Sequence, residues 1–169
     1  SQSYAVFFGL AGAASSLILS GAGAAYGTAK ACSGIAKVSG APSNDSMKGL
    51  ESSGNNTQES VGYKNMIPVV MSGVLAIYGL IYSVISSQAV ASSAFSASQG
   101  YANFAGGLAV GFCCLVAGIA IGICGEAGIV ASARNSKMFV LMVLVLIYCE
   151  AIGLYGLIFG LIASSLSFV

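Results

Sequence analysis

Charge is what this chain has least of: acidic and basic residues together make up 7% of its 169 residues. A water-soluble domain carries about a quarter, so water is not the main solvent around it. Histidine and tryptophan are absent altogether. The five cysteines, Cys32, Cys113, Cys114, Cys124 and Cys149, form no CxxC pair. With no imidazole to complete a ligand set, no metal site is expected, and the cysteines read as small apolar packing residues. Any aromatic belt has to be built from Tyr and Phe. A net charge of +1 gives no electrostatic reason to expect a nucleic-acid partner. No GxxxxGK[ST] run occurs, so the chain has no phosphate-cradling loop of that kind, and no cofactor is expected.

What remains is apolar: 57% of the residues are hydrophobic and the mean hydropathy is +0.91. Apolar runs cover roughly 4–29, 66–87, 104–124 and 138–163. Each is long enough to cross about 30 Å of hydrocarbon as a helix rising about 1.5 Å per residue. Lipid cannot satisfy free backbone groups, so runs of this length must be helical. The first run starts at Tyr4 with no preceding Lys or Arg and is too long for a signal-peptide core. The expected fold is therefore an all-α membrane protein with four transmembrane helices.

The six basic residues give an orientation. Lys30, Lys37, Lys48 and Lys64 lie between helices one and two, and Arg134 and Lys137 between helices three and four. The connection at 86–103 has no charge. The positive-inside rule places both charged connections in the cytoplasm and the termini on the lumenal side. The first connection is polar from Ser39 to Gly62 and reads as a flexible loop. It contains two formal glycosylation acceptors, at Asn44 and Asn55. On a cytoplasmic loop these stay unmodified.

The second half of the chain resembles the first. Residues 67–81 read IPVVMSGVLAIYGLI and residues 144–158 read LVLIYCEAIGLYGLI, so Tyr78-Gly79-Leu80-Ile81 recurs 77 positions later as Tyr155-Gly156-Leu157-Ile158. Gly23-x-x-x-Gly27 recurs as Gly118-x-x-x-Gly122, 95 positions on, the difference being extra length in the first loop. The chain thus reads as two tandem helical hairpins, 1–99, which carries the polar loop 39–64, and 100–169. Helices one and three are lined with small residues, Gly9, Ser16 and Gly23 in one and Gly107, Gly111, Gly118 and Gly122 in the other. Such residues let backbones approach closely where no hydrophobic effect drives association. The pattern fits the crowded inner wall of a ring or ordinary packing inside a four-helix bundle.

The repeat also exposes an asymmetry. Glu150 in the second hairpin aligns with Gly73 in the first. Glu150 is the only acid inside an expected span. Lys137, the nearest charge on its helix, is thirteen residues away, roughly 20 Å along the axis. A charged side chain at that depth costs from about 2.5–3.5 to 10 kcal/mol or more, depending on the scale. The carboxyl is therefore expected to hold a proton when it faces lipid and to lose it only where water or a cation reaches it. No cation in this chain can, so the counter-charge must come from another subunit. Gly153, one turn on, is expected to leave open space beside the carboxyl, and Tyr148 and Tyr155 to offer hydroxyls near it. Na⁺ is disfavoured as the ion, because only Ser72 and tyrosine hydroxyls supply further oxygens at that depth. Glu126, by contrast, is expected in a surface ion pair near Arg134 and Lys137. The charge traffic points to a proton carrier; a passive pore would need a polar stripe along its spans, which the sequence lacks.

The runs Gly23-Ala-Ala-Tyr-Gly-Thr-Ala-Lys30, Ile67-Pro-Val-Val-Met71, Ile77-Tyr-Gly-Leu-Ile81, Gly106-Gly-Leu-Ala-Val-Gly111 and Gly153-Leu-Tyr-Gly-Leu-Ile158 resemble the proteolipid family that forms the rotor of eukaryotic V-type ATPases. The resemblance covers nearly the whole chain outside 39–62 and does not separate the c from the c-prime isoform. It implies a homo- or hetero-oligomeric rotor ring in a vacuolar or other acidic endomembrane, turned by ATP hydrolysis in a separate peripheral sector. It further implies that Glu150 binds and releases the proton and reacts with carbodiimides. An Arg of the a subunit would face it, the central-stalk d subunit would sit at the cytoplasmic end, and macrolide inhibitors would bind the ring surface. Two departures stand out: the long 39–62 loop, and Glu126 where the family usually has Asp. A variant proteolipid with its acid on an earlier helix is disfavoured, because Gly73 fills the matching place.

Overall fold

The computed structural model describes residues 2–39, 64–92 and 95–166. The polar loop, with Lys48 and both glycosylation acceptors, lies outside the described residues. Four helices follow one another: α1 (Gln2–Ser39), α2 (Ile67–Val90), α3 (Ala97–Arg134) and α4 (Met138–Ser165). All four are long and apolar enough to cross a membrane. The helices α1 and α3 each run for 38 residues, about 57 Å at 1.5 Å per residue. That is close to twice the hydrocarbon thickness. Both continue some ten residues past the apolar runs read from the sequence, because a helix held by its own backbone bonds need not stop where the lipid does.

The ends have local causes. At the start of α2, Pro68 occupies the first turn, where its missing N–H would have no helical partner in any case. The start of α3 is a capping box: the Gln99 backbone N–H donates to Ser96 Oγ, and the Ser96 N–H donates to Gln99 Oε1 at 3.0 Å. Gln99, the expected last residue of the first hairpin, is thus part of the first turn of α3. Between α3 and α4 the chain turns in three residues, with the Lys137 N–H donating to Asn135 Oδ1 at 3.1 Å.

Packing contacts set the directions. Gly27 meets Ser72 and Gly79 meets Ser16 and Ser20, so α1 and α2 are antiparallel. Gly128 meets Met142 and Gly160 meets Val110, so α3 and α4 are antiparallel as well. The most extensive helix pair is α1 with α3, and it is parallel. Along it, a Cβ on Gly107 would strike the backbone of Gly12, and a Cβ on Gly118 the backbone of Gly23. The glycines that recur at a spacing of 95 are therefore the residues in mutual contact. Backbone-to-backbone approach of this kind is how helices gain dispersion energy in lipid. With the small-residue helices joined, α2 and α4 lie to the outside. Their Val, Ile, Leu and aromatic side chains are largely exposed, among them Val70, Ile77, Leu80, Val140, Leu144 and Ile162.

The core holds few large side chains: Leu75, Tyr82, Val110, Ile121, Ile129 and Leu146 are completely buried. Of the cysteines, only Cys114 is fully buried, and Cys32 is exposed, contrary to a uniform packing role. All five are free thiols.

Candidate functional site

Glu150 sits just short of the middle of α4, on the side turned toward α2, and is half-buried. Its carboxyl has one hydrogen-bond partner among the described residues. The Tyr78 hydroxyl donates to Glu150 Oε1 at 3.0 Å, across from α2 in the other hairpin. No basic side chain pairs with it: the salt bridges among the described residues all belong to Glu126. The carboxylate is thus held by a neutral donor at membrane depth, and an anion there has no counter-ion among the described residues of its own chain.

Gly153 has a different role from the one its sequence position suggests. The expected open space beside it is filled. A Cβ built there would come within 2.7 Å of a Leu75 methyl and 3.6 Å of the Tyr78 ring. A glycine at this place lets α2 close onto α4, which brings the Tyr78 hydroxyl within reach of Glu150. Tyr148 and Tyr155 are both exposed, and neither hydrogen-bonds Glu150 among the described contacts. Tyr78 did not stand out as a partner in the sequence because it lies 72 residues upstream. The signal that points to it is the repeat, which puts Tyr78 at the depth of Tyr155.

Hydroxyls of α2 on either side of Tyr78 are committed elsewhere. Ser72 is buried, and its hydroxyl donates to the Ala24 carbonyl of α1 at 2.8 Å. Tyr82 donates to the Asn103 carbonyl of α3 at 2.7 Å, pinning α2 to α3.

At the lysine-bearing end the second acid behaves otherwise. Glu126 pairs with Lys37 and, at 3.4 Å, with Lys30, and accepts a hydrogen bond from Ser33 Oγ at 3.1 Å. The ion pair expected with Arg134 and Lys137 is formed with the lysines of α1 instead. The reason is the parallel packing of α1 on α3, which lays the last turns of α1 along Glu126. Lys64 lies over the Phe139 ring, 5.7 Å from its centroid, tying the entry of α2 to that of α4.

The family model for the ATP synthase C subunit matches residues 11–86 and 104–163 of the chain. The chain belongs to that family. It is 48% identical over 166 residues to the V-type proton ATPase 16 kDa proteolipid subunit of Chrysotila carterae, an alignment that covers 95% of this chain and 92% of that relative. As a member of the ATP synthase C-subunit family with four apolar helices, it is an integral, multi-pass membrane protein. The family match takes in both halves of the site: Tyr78 falls in its first segment, and Glu150 and Gly153 in its second.

Proposed function

We propose that this chain is a proton-carrying proteolipid subunit of the membrane rotor ring of a V-type proton ATPase. The observation that carries the reading is the carboxyl of Glu150, placed within an apolar span, held by one neutral hydroxyl, and free of any ion pair among the described residues. The similarity to a V-type proton ATPase proteolipid supports it.

The chemistry follows from the solvent. Facing lipid, Glu150 holds its proton, since an anion in hydrocarbon is expensive. Reaching a water-filled channel with a fixed cation, it releases the proton there. The cation is an Arg of a stationary a subunit, and rotation carries each protonated site through the lipid to the next channel. Tyr78 holds the carboxyl in one orientation while it is neutral, and Gly153 permits that contact. Moving one charge through 100 mV takes about 2.3 kcal/mol, supplied by ATP hydrolysis in another subunit. A sodium cargo would need several oxygen ligands, and the commitment of the Ser72 hydroxyl to the Ala24 carbonyl favours the proton.

In this reading residues 1–99 and 100–169 are two hairpins of one rotor unit, the second carrying the acid. The lysine-bearing loops face the cytoplasm, where the central-stalk d subunit docks, and the termini face the lumen of a vacuole or other acidic compartment. The decisive experiment replaces Glu150 with Gln, which keeps shape and removes titration. The complex is expected to assemble normally, with ATP-driven acidification of membrane vesicles abolished. Acidification that persists would rule out Glu150 as the carrier, and conductance without ATP would mark a pore.

A further inference from the structure

The two hairpins differ in what covers them. Leu75 and Tyr82 of α2 are 0% exposed, whereas the residues 77 positions later on α4, Ile152 and Phe159, are 38% and 57% exposed. Tyr78 is half-buried against Glu150, and its counterpart Tyr155 is 67% exposed. The second hairpin covers the residues of the first, while no described residue covers those of the second. The mismatch runs the other way at the acid. Gly153, buried under Leu75, lies on α4 beside Glu150, while Gly73, the counterpart of Glu150, has no atom within 4 Å of the place a Cβ would occupy. Among the described residues Tyr155 of the second hairpin therefore meets no carboxyl, and the first hairpin has a bare notch at Gly73 where one would sit.

We infer that, in the assembled ring, Tyr155 of one copy stands over Gly73 of the next copy, repeating the Tyr78–Glu150 contact with the acid left out. The inference rests on the ring reading above. The step from first hairpin to second within one chain, applied once more, carries α4 onto α2 of a neighbouring copy, Tyr78 onto Tyr155 and Glu150 onto Gly73. The same step covers Ile152 and Phe159, as Leu75 and Tyr82 are covered within the chain. Every copy-to-copy junction then holds the frame of a proton site, with its positioning tyrosine supplied from the neighbour.

The test moves the acid. In the assembled membrane complex, carbodiimide labelling is followed in the parent chain and in the Gly73→Glu/Glu150→Gln chain, each with Tyr78→Phe or Tyr155→Phe. In the parent, Tyr78→Phe is expected to change the labelling rate of Glu150 by roughly three- to tenfold, the equilibrium weight of one net hydrogen bond, and Tyr155→Phe to leave it unchanged. In the relocated chain the dependence should exchange: Tyr155→Phe changes labelling of the introduced carboxyl by a similar factor, and Tyr78→Phe does not. A relocated carboxyl that responds to Tyr78→Phe, or to neither change, overturns the inference. Should the relocated chain fail to assemble, a Gly73→Cys/Tyr155→Cys chain treated with a short bifunctional thiol reagent decides it. A ladder of cross-linked chains absent from both single variants is expected, and its absence overturns the inference. Images of the particle down the membrane normal separate the two levels: a ring with no ladder sinks only the Tyr155 contact, and no ring sinks the functional reading with it.

Discussion

The two hairpins share a fold and part of a sequence, yet only one carries an acid on its outer helix. Both present a Tyr-Gly-Leu-Ile run on the outer helix and a glycine-lined inner helix, and their inner helices meet at matching glycines. Among the positions at which the outer helices differ, one exchanges a glycine for an acid, Gly73 against Glu150. The scaffold around the acid is therefore independent of the acid. Helix register and close packing are built twice, and a titratable group is added once.

The comparison can be broken most sharply at that position. Glu150→Gln is expected to abolish ATP-driven acidification, while Gly73→Ala, which enters open space, should leave acidification and assembly unchanged. If both variants pump alike, the hairpins are not functionally distinct.

Next in size is the shared scaffold. Gly118→Leu forces a side chain into the backbone of Gly23, and overpacking of this kind costs about 1–3 kcal/mol or more. Assembled complex recovered from membranes should fall severely. Gly21→Ala on the same helix pair meets no atom within 4 Å, and yield should match the parent.

A smaller effect is expected at Gly153. Gly153→Ala must displace the Leu75 methyl that lies 2.7 Å from the new Cβ, and Leu75 is a flexible side chain that can yield. The Tyr78–Glu150 contact should loosen, and carbodiimide labelling of Glu150 should quicken severalfold while assembly survives. Gly156, whose added Cβ would strike Cys113 of α3, is the internal control. Gly156→Ala should lower assembly without a matching change in labelling per assembled site.

The smallest effect belongs to Glu126. Its partners Lys30 and Lys37 are exposed, and surface pairs contribute little and are screened by salt. Glu126→Gln should lower the thermal midpoint of the purified complex slightly at low ionic strength, and the difference should vanish at high salt. A salt-independent loss would mean that the acid supports packing rather than charge.

Much of this was legible in the chain itself. Four long apolar runs nearly free of charge specify four spans, because hydrocarbon tolerates neither free backbone groups nor many charges. The repeat and the solitary acid of Glu150 are properties of residue order alone. What residue order could not supply is which side chains meet across helices. Tyr78 reaches Glu150, Gly153 is filled by Leu75, and Glu126 is claimed by Lys30 and Lys37 only because glycine contacts along α1 and α3 set the helices in one particular register. Helical periodicity specifies depth and face within one element. Distances between elements are decided by packing, and packing exists only once the helices are folded together.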